Sequence, residues 1–416
     1  MLKTLKANPL PVVIFTVFLD LVGFGILIPI IPQLLANPRS EFYLLPSNFT
    51  VSQGYILLGF LIAIFPFMQF IATPILGQLS DKFGRKNILA ISLIGTCLSY
   101  IVFALGILTK NILLLFLSRA FDGITGGNIS VAQAAIADVT TKENRTKAFG
   151  LIGAAFGMGF IIGPYIGGKL SDPNFISWFN ATTPFWFAAI LSLINISLVF
   201  LFFPETNMHI QHSLKINWIK SIKNIIHAYT LKNLRSLFIV NFLFQGGFSF
   251  YATFGAVFLI NRFHFNQGNI GDFFAYVGIW IAITQALITR KVSSILTEMQ
   301  VLRFSMFMCG VVLLCYFLPT VGWQLLFVSP FFAIFMGLTQ ANMAGLISRL
   351  AAPEIQGEVL GINFSVQALA QSIPAAASGF IAAKMGSNTP VVVSAVGVMI
   401  ASIVFWFSFR SKSLSS

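Results

Sequence analysis

The stretch FTVFLDLVGFGILIPIIPQLL, residues 15–35, is long and apolar enough to cross a membrane, yet it contains the acidic residue Asp20. About 20 apolar residues are needed to span the hydrocarbon core of a bilayer. Asp20 is the only Asp, Glu, Lys or Arg between Lys6 and Arg39. An ionised, unpaired carboxylate at the bilayer centre costs roughly 2.5–3.5 kcal/mol even on insertion scales. We therefore expect Asp20 to have a partner or a function elsewhere in the chain.

The composition identifies a membrane protein with many spans. Of the 416 residues 57% are hydrophobic and only 9% are charged, whereas soluble domains have about 25% charged residues. The net charge of +13 does not indicate a nucleic-acid partner, because the basic residues lie in short loops between apolar runs, as the positive-inside rule predicts. The cysteines have neither disulfide nor metal spacing, and we expect no cofactor.

The apolar runs predict an all-α integral membrane protein with twelve transmembrane helices. The predicted spans are residues 11–35, 54–78, 88–109, 112–137, 146–168, 182–203, 236–260, 270–289, 302–319, 322–348, 357–383 and 389–409. The longest polar gap divides them into an N-terminal six-helix bundle (1–203), a cytoplasmic basic linker (204–235) and a C-terminal six-helix bundle (236–416). Most of the 25 Lys and Arg fall inside if both termini are cytoplasmic.

The linker has apolar residues at helical spacing with lysines between them. This pattern predicts a short amphipathic helix on the anionic inner leaflet of the membrane. A regulatory or partner site is the alternative interpretation. The apolar residues are Leu214, Trp218, Ile222, Ile225 and Ile226.

The loop after the second span, GQLSDKFGRKNIL (77–89), has a specific pattern of glycines and charges. The glycines allow close backbone approach and a tight turn, and Asp81 can face Arg85 or an adjacent helix N-terminus. The pattern matches the G-x-L-x-D-x-x-G-R-K signature of the major facilitator superfamily of secondary transporters, which the chain therefore resembles. The predicted signature-loop residues are Gly77, Asp81, Gly84, Arg85 and Lys86.

The fifth span contains GMGFIIGPYIGG (157–168), which is similar to the G-x-x-x-G-P-x-x-G-G motif of antiporters in this superfamily. Its small residues let the helix pack closely on a neighbour, and the proline is expected to kink it. The motif predicts a hinge or a seal against leak; ordinary helix packing is the alternative. The motif residues are Gly159, Gly163, Pro164, Gly167 and Gly168.

The fourth span, in LSRAFDGITGGN (117–128), places Arg119 and Asp122 three residues apart on one helical face. The first span has the spacing D-x-x-G-x-G-x-x-x-P-x-x-P, and PET (204–206) ends the sixth. Together these features resemble the twelve-helix drug:proton antiporter branch, closest to the tetracycline-resistance efflux transporters. In that resemblance Arg119 matches the membrane-embedded arginine of proton-coupled exporters. A purely structural ion pair of Arg119 with Asp122 or Asp20 is the alternative.

Asp20, Arg119 and Asp122 all fall near the bilayer midplane when depth is counted at about 1.5 Å per residue. In the superfamily fold the first and fourth helices line one cavity, so we expect the three charges to converge. Asp20 is the first candidate for the proton-coupling carboxylate and Asp122 the second, with Arg119 as the switching counter-charge. Protons would then compete with substrate or with Arg119 for a carboxylate.

Substrate is expected to bind between the two halves. Superfamily analogy gives the candidates Asn128, Phe156, Phe160, Gln245, Phe248, Tyr251, Gln340, Asn342, Asn363 and Gln367. Intramembrane amides also serve as contacts between helices, so a structural role is the alternative for each of them.

The cargo is constrained by what the C-terminal half lacks. Tetracycline antiporters of this type carry a histidine in the eighth helix and an acid in the ninth, and this sequence has neither. We expect proton-coupled export of an amphipathic or zwitterionic organic compound of the drug or tetracycline-like class; the alternative is uptake or export of one physiological solute, such as a siderophore or metabolite. The predicted partners are this small molecule, protons and the bilayer of a bacterial inner membrane, with the protein a monomer and not an enzyme.

Overall fold

The computed structural model describes residues 9–140, 142–208, 210, 213, 215–231, 234–351 and 356–409. It does not describe the side chains of residues 142–150, 152–154, 156 and 356–358. Every regular element within the described ranges is a helix.

The helices before the linker are α1 (Leu10–Ile26), α2 (Ile31–Leu35), α3 (Val51–Phe83), α4 (Arg85–Leu108), α5 (Ile112–Thr125), α6 (Ile129–Val139), α7 (Lys142–Leu170) and α8 (Thr183–Phe202). The linker forms α9 (Lys220–Thr230). The helices after it are α10 (Arg235–Phe263), α11 (Gln267–Ile283), α12 (Thr289–Ser293), α13 (Glu298–Cys315), α14 (Leu325–Leu350), α15 (Gln356–Met385) and α16 (Thr389–Ser408).

Most of the predicted spans correspond to one of these helices. Among the described residues, eleven helical segments are long and apolar enough to cross a membrane. The 29-residue helix α7 lies at the position of the fifth predicted span. The count of twelve and the cytoplasmic position of both termini remain predictions.

Three predicted spans are interrupted, which hydropathy did not predict. In the first span the chain forms turns between Ile26 and Ile31, because Pro29 has no N–H to donate to the carbonyl one helical turn earlier. In the fourth, a 3₁₀ turn at Gly126–Asn128 separates α5 from α6. In the eighth, a π-helical turn at Thr284–Ile288 separates α11 from α12.

The buried apolar side chains form several cores, most of whose members come from one half of the chain. One core contains residues from Ala228 to Phe409. Another contains residues from Val13 to Phe203, and a third lies mostly before residue 190 but includes Phe254, Val257 and Ala382. The division at residues 203 and 236 remains a prediction.

The two halves contact each other at the ends that the charge pattern assigns to the outside. Helix α3 packs on α15, where an ideal Cβ on Gly59 would lie 3.0 Å from Gly379 Cα. Helix α7 packs on α11, where a Cβ on Gly168 would lie 3.0 Å from Gly271 Cα. We call these two contacts the outer interface. The structure is closed on this side.

An exposed ion pair and a hydrogen bond accompany the outer interface. The Lys169 ammonium lies 2.9 Å from an Asp272 carboxylate oxygen. Gln267 Nε2 donates to the Ser171 carbonyl at 3.2 Å. Both contacts join α7 or the residue after it to α11.

The linker helix is shorter than the sequence pattern suggested. It begins at Lys220, so Trp218 precedes it, and Leu214 lies outside the described residues. Ser221 Oγ donates to the Ile71 carbonyl of α3 at 3.0 Å, and Asn224 Nδ2 donates to Ser365 Oγ of α15 at 3.3 Å. The linker helix therefore connects one helix from each half.

The glycines of the fifth span pack α7 against α1. An ideal Cβ on Gly163 would lie 2.7 Å from Gly25 Cα, and one on Gly167 would lie 2.4 Å from the Ile26 carbonyl oxygen. A Cβ on Gly159 would lie 2.5 Å from Leu21 Cβ. The neighbouring atoms are mostly backbone, so they cannot rotate away from an added methyl group. Helix α7 continues through Pro164.

We predict that Gly163→Ala destabilises the protein, because its methyl group would overlap the backbone of α1. Overpacking of this kind costs about 1–3 kcal/mol. The measurement is the thermal unfolding midpoint in detergent, compared with Gly246→Ala as control. A Cβ on Gly246 would meet its nearest neighbours at 3.5 Å, an ordinary contact. Equal midpoints for the two variants would contradict the packing described for α7 and α1.

Candidate functional site

The break in the fourth span positions the polar residues of the site. Gly123 and Gly127 lie against the backbone of α3, where an ideal Cβ would lie 2.4 Å from the Phe65 carbonyl oxygen and 2.9 Å from Thr73 N. Gln69 Nε2 of α3 donates to the Gly126 carbonyl at 2.9 Å. Backbone groups freed by an irregular turn inside a membrane must find such partners. The glycines and Gln69 thus make the 3₁₀ turn possible.

Arg119 and Asp122 form a buried ion pair on α5. Arg119 Nη1 donates to Asp122 Oδ2 at 2.6 Å, and the two side chains are only 4% and 7% exposed. The Arg119 guanidinium carbon lies 4.3 Å from the centre of the Phe65 ring, a cation–π contact. Arg119 Nε has no hydrogen-bond partner among the described residues. The sequence allowed Arg119 to pair with Asp122 or with Asp20, and in the structure it pairs with Asp122.

Asp20 lies beside this pair and is half-buried. Its Oδ2 accepts a hydrogen bond from Asn128 Nδ2 at 2.7 Å, across 108 residues of chain. Asp20 also interacts electrostatically with Asp122. The structure thus brings Asp20, Arg119 and Asp122 together in one cluster, to which we refer as the charged cluster.

Tyr100 of α4 belongs to the same cluster, although the sequence did not single it out. Its phenol interacts electrostatically with Asp20, Arg119 and Asp122. Gly23 makes room for it, since an ideal Cβ there would lie 1.9 Å from the Tyr100 hydroxyl oxygen. A tyrosine within an apolar run carries no sequence signal that separates such a position from ordinary packing.

The charges of the cluster do not balance when all three groups are ionised. Two carboxylates and one guanidinium leave a net charge of −1, which one proton neutralises. The carboxylate in contact with Arg119 is Asp122, whereas the hydrogen bond that Asp20 accepts within the described part of the chain comes from a neutral amide. Asp20 is therefore the carboxylate that Arg119 leaves without direct compensation.

Arg85 of the signature loop pairs with two carboxylates, one within the loop and one outside it. Arg85 Nη1 lies 2.6 Å from Asp81 Oδ1, and Arg85 Nε donates to Asp138 Oδ2 at 3.1 Å. Asp81 therefore faces Arg85, one of the two arrangements that the sequence allowed. Asp138, at the end of α6, was not predicted.

The N-terminus of α4 is capped by Glu205 of the PET stretch. The backbone N–H groups of Arg85 and Lys86 donate to the Glu205 carboxylate at 2.9 and 3.1 Å. An anion at this position also interacts favourably with the helix dipole. Gly84 permits the turn, with φ = 94° and with Glu205 occupying the space of a side chain.

The expected close approach is not present at Gly77. A Cβ there would lie 3.6 Å from Ser130 Oγ, an ordinary contact distance. In this structure the position has room for a larger residue. The expectation is correct for Gly84 and wrong for Gly77.

Each half has an ion pair and a bond from a basic side chain to a backbone carbonyl near the start of its third span. In the C-terminal half the acid and the base of the ion pair have exchanged places. In the N-terminal half Arg85 at the start of α4 pairs with Asp138 of α6, and Lys86 Nζ donates to the Phe200 carbonyl at 2.9 Å. In the C-terminal half Glu298 at the start of α13 pairs with Arg349 of α14. Arg303 Nη2 of α13 donates to the Phe409 carbonyl at 2.9 Å. The second half thus retains an ion pair here although its loop lacks the Gly-Asp pattern.

The substrate candidates of the N-terminal half lie near the charged cluster where they are described. Asn128 is bonded to Asp20. Phe160 is 42% exposed, and its ring centre lies 5.9 Å from that of Phe24, which in turn lies 5.4 Å from that of Phe65. The side chain of Phe156 lies outside the described part of the chain. Phe24 and Phe65 extend the aromatic surface to Arg119 and were not predicted.

The substrate candidates of the C-terminal half divide into two groups. Three are buried and have partners within this half: Asn363 Oδ1 accepts from Asn241 Nδ2 at 2.8 Å, Asn342 Nδ2 donates to the Leu338 carbonyl at 2.8 Å, and Tyr251 stacks on Tyr316 at 5.9 Å. The other four are only partly buried. These are Gln245, Phe248, Gln340 and Gln367. The substrate role of every candidate remains a prediction.

Comparisons with known proteins agree with this architecture. The profile described as "Major Facilitator Superfamily" matches residues 13–375. The "Tetracycline resistance protein, class H" of Pasteurella multocida is 32% identical over 361 residues, covering 85% of this chain and 84% of that protein. The "Multidrug resistance protein 2" of Bacillus subtilis is 28% identical over 381 residues, covering 89% and 88%. The crystal structure of the human organic anion transporter MFSD10 (TETRAN) has a similar fold, with a TM-score of 0.72, 22% identity and coverage of 96% and 99%.

We predict that substitutions of Arg119 and Asp122 have non-additive effects on the stability of the protein. Arg119→Gln leaves Asp122 buried without its counter-charge, a loss of about 3–5 kcal/mol. The double variant Arg119→Gln with Asp122→Asn removes both charges and should unfold at a higher temperature than Arg119→Gln alone. The measurement is thermal unfolding in detergent across the double-mutant cycle. Additive effects of the two substitutions would contradict the direct pairing.

We also predict that Glu205→Ala destabilises the start of α4. The substitution removes the acceptor of the two backbone hydrogen bonds from the start of α4, and loss of a helix cap costs about 0.5–2 kcal/mol. Glu205→Gln keeps an acceptor oxygen and should have a smaller effect. The control is Glu41→Ala, since Glu41 is exposed in the loop after α2. An unfolding midpoint for Glu205→Ala equal to that of the control would show that the cap contributes nothing.

Proposed function

Since the chain belongs to the Major Facilitator Superfamily, we propose that it exports an amphipathic organic compound in exchange for protons. Members of this superfamily are membrane transporters, so the protein is a multi-pass transporter of the cytoplasmic membrane and not an enzyme. Proton entry would supply the energy, with the two halves alternately opening the central region to each side of the membrane.

The observation that carries the proposal is the charge of the buried cluster. One proton balances the net charge of −1, and among the described residues Asp20 is the carboxylate of the cluster without a cationic contact. In the proposed cycle Asp20 takes a proton when the site opens to the outside and releases it to the inside. Asp122 would become the proton-binding carboxylate only if Arg119 left it and paired with Asp20. Arg119 is therefore the counter-charge whose change of partner would switch the two carboxylates.

The surroundings of the cluster favour an amphipathic or zwitterionic cargo. The aromatic rings of Phe24, Phe65 and Phe160 provide an apolar surface next to Arg119. Gln245, Gln340 and Gln367 in the other half offer neutral amides that are partly exposed. Aromatic faces and one uncompensated carboxylate attract a cationic group on such a molecule. A phosphorylated sugar or a dicarboxylate would instead need several fixed cations.

The named relatives include tetracycline resistance and multidrug resistance proteins, which supports a drug-like cargo class. The spans α11 and α13 contain no histidine and no acid at their centres, and this absence favours a cargo that differs from tetracycline. One physiological solute, such as a siderophore or metabolite, is therefore the second candidate.

A panel of tetracyclines, other amphipathic drugs and siderophores, added to proteoliposomes with an imposed pH gradient, distinguishes the two candidate cargo classes. Acidification or alkalinisation of the medium on addition identifies the cargo and the direction of proton movement.

We predict that Asp20→Asn abolishes accumulation driven by a pH gradient but leaves exchange of labelled for unlabelled substrate intact. Exchange needs no net proton movement, whereas accumulation requires the coupling carboxylate. Asp122→Asn should reduce accumulation less, since it also removes the partner of Arg119. The measurement is uptake of labelled substrate into inverted vesicles or proteoliposomes.

The matched control for Asp20→Asn is Glu41→Gln, which removes an exposed acid far from the charged cluster and should leave accumulation unchanged. Full gradient-driven accumulation by both Asp20→Asn and Asp122→Asn would overturn the proposed coupling. Loss of exchange together with accumulation in Asp20→Asn would assign Asp20 to substrate binding instead.

A further inference from the structure

We propose that a cavity between the linker helix α9 and helix α3 binds the headgroup of an anionic phospholipid from the inner leaflet. The cavity has a volume of about 500 Å³. Its polar lining consists mainly of Gln78, Asn217, Lys220, Lys223, Asn224 and His227. This inference does not depend on the cargo or on proton coupling.

The lining matches the chemistry of a phosphate ester. Lys220 and Lys223 provide two ammonium groups, and the side-chain amides of Asn217 and Asn224 add further N–H donors. Among the described residues that line the cavity there is no Asp or Glu. The described wall is therefore positively charged, and an anion is its complementary ligand.

The wall of the cavity is built by fixed hydrogen bonds. Gln78 is only 6% exposed, and its Nε2 donates to the Pro74 and Asn217 carbonyls at 2.9 and 3.2 Å. The Asn217 N–H in turn donates to Gln78 Oε1 at 2.9 Å. These bonds tie the chain just before α9 to α3. The site thus has a defined shape before any ligand binds.

The position of α9 places this cavity at the level of lipid headgroups. Gln78, which lines the cavity, is also the last residue of the second predicted span, so the cavity lies where the hydrocarbon core meets the headgroups. The phosphate of an inner-leaflet lipid is already at this level, whereas a soluble anion must reach it from the water.

The outer face of the linker helix supplies contacts for acyl chains. Trp218, Ile222, Ile226 and Tyr229 are 69%, 57%, 60% and 62% exposed. Lys220 and Lys223 lie between Trp218 and Ile226 in the chain. Exposed apolar residues beside lysines are the features of a segment that lies in the interface of an anionic membrane. Both parts of one lipid molecule, the charged headgroup and the acyl chains, therefore have complementary surfaces here.

Bound lipid should also stabilise the arrangement of the two halves. The linker helix contacts α3 through Ser221 and α15 through Asn224, and these two helices must separate or slide during alternating access. A lipid that holds α9 in place favours the conformation in which both contacts are present. The proposal therefore includes a dependence of stability on anionic lipid.

Native mass spectrometry of the full-length protein in detergent tests the proposal, with phosphatidylglycerol and phosphatidylcholine as competing probes. The linker variant is Lys220→Gln with Lys223→Gln. The matched control is Arg290→Gln with Lys291→Gln, which removes two exposed basic residues at α12, predicted to lie on the same side of the membrane. We expect the wild type and the control to retain phosphatidylglycerol in preference to phosphatidylcholine, and the linker variant to lose this preference.

Three outcomes would overturn the proposal. The linker variant could retain phosphatidylglycerol as well as the control does, or wild type could show no preference between the two lipids. Displacement of the lipid by an equal concentration of inorganic phosphate or glycerol phosphate would show a site for soluble anions instead.

A thermal-shift measurement in parallel supports the proposal if phosphatidylglycerol raises the unfolding midpoint of wild type and control but not of the linker variant. That readout also shows that the variant is folded.

Discussion

The ion pair between Arg119 and Asp122 is the interaction on which the N-terminal half depends. A guanidinium group cannot remain inside a bilayer without a partner, because no water replaces the lost hydration. Asp122 supplies the charge and the Phe65 ring covers the guanidinium. Helices α3 and α5 must therefore lie close together, and the glycines at 123 and 127 allow this contact. The 3₁₀ turn that follows then brings Asn128 to Asp20. The geometry of the charged cluster is a consequence of satisfying one buried arginine.

The membrane-spanning helices could be predicted from the sequence because a long apolar run has few alternatives. Inside lipid the backbone must satisfy its own hydrogen bonds, so such a run forms a helix. The interruptions at residues 27–30, 126–128 and 284–288 could not be predicted from hydropathy. A turn, a 3₁₀ turn and a π-helical turn differ from an α-helix in their backbone hydrogen bonds and not in how apolar their residues are. Pro29 and the adjacent glycines at 126 and 127 were visible, but glycine and proline are common in membrane helices and often cause no break. Pro164 is an example, because α7 continues through it.

The charged cluster was predictable only where its contacts are local. Arg119 and Asp122 are three residues apart on one helix, so their pairing follows from helical geometry. The bond between Asp20 and Asn128 joins two spans and depends on the 3₁₀ turn, so Asn128 was assigned to substrate binding alone. Glu205 was noticed as part of a family pattern, whereas its role as the cap of α4 requires the tertiary fold. Tyr100, Phe24 and Phe65 gave no signal among the 46 phenylalanines and 8 tyrosines of the chain.

The packing of the outer interface affects how easily the two halves separate. Its helices touch through glycine backbones, and its ion pair between Lys169 and Asp272 is 25% and 48% exposed. Exposed pairs contribute about 0–1 kcal/mol, since water replaces the contact when it breaks. Breaking this ion pair therefore adds little to the cost of separating the halves. Close packing of small residues makes the seal, and the exposed pair beside it does little to hold the protein in one state.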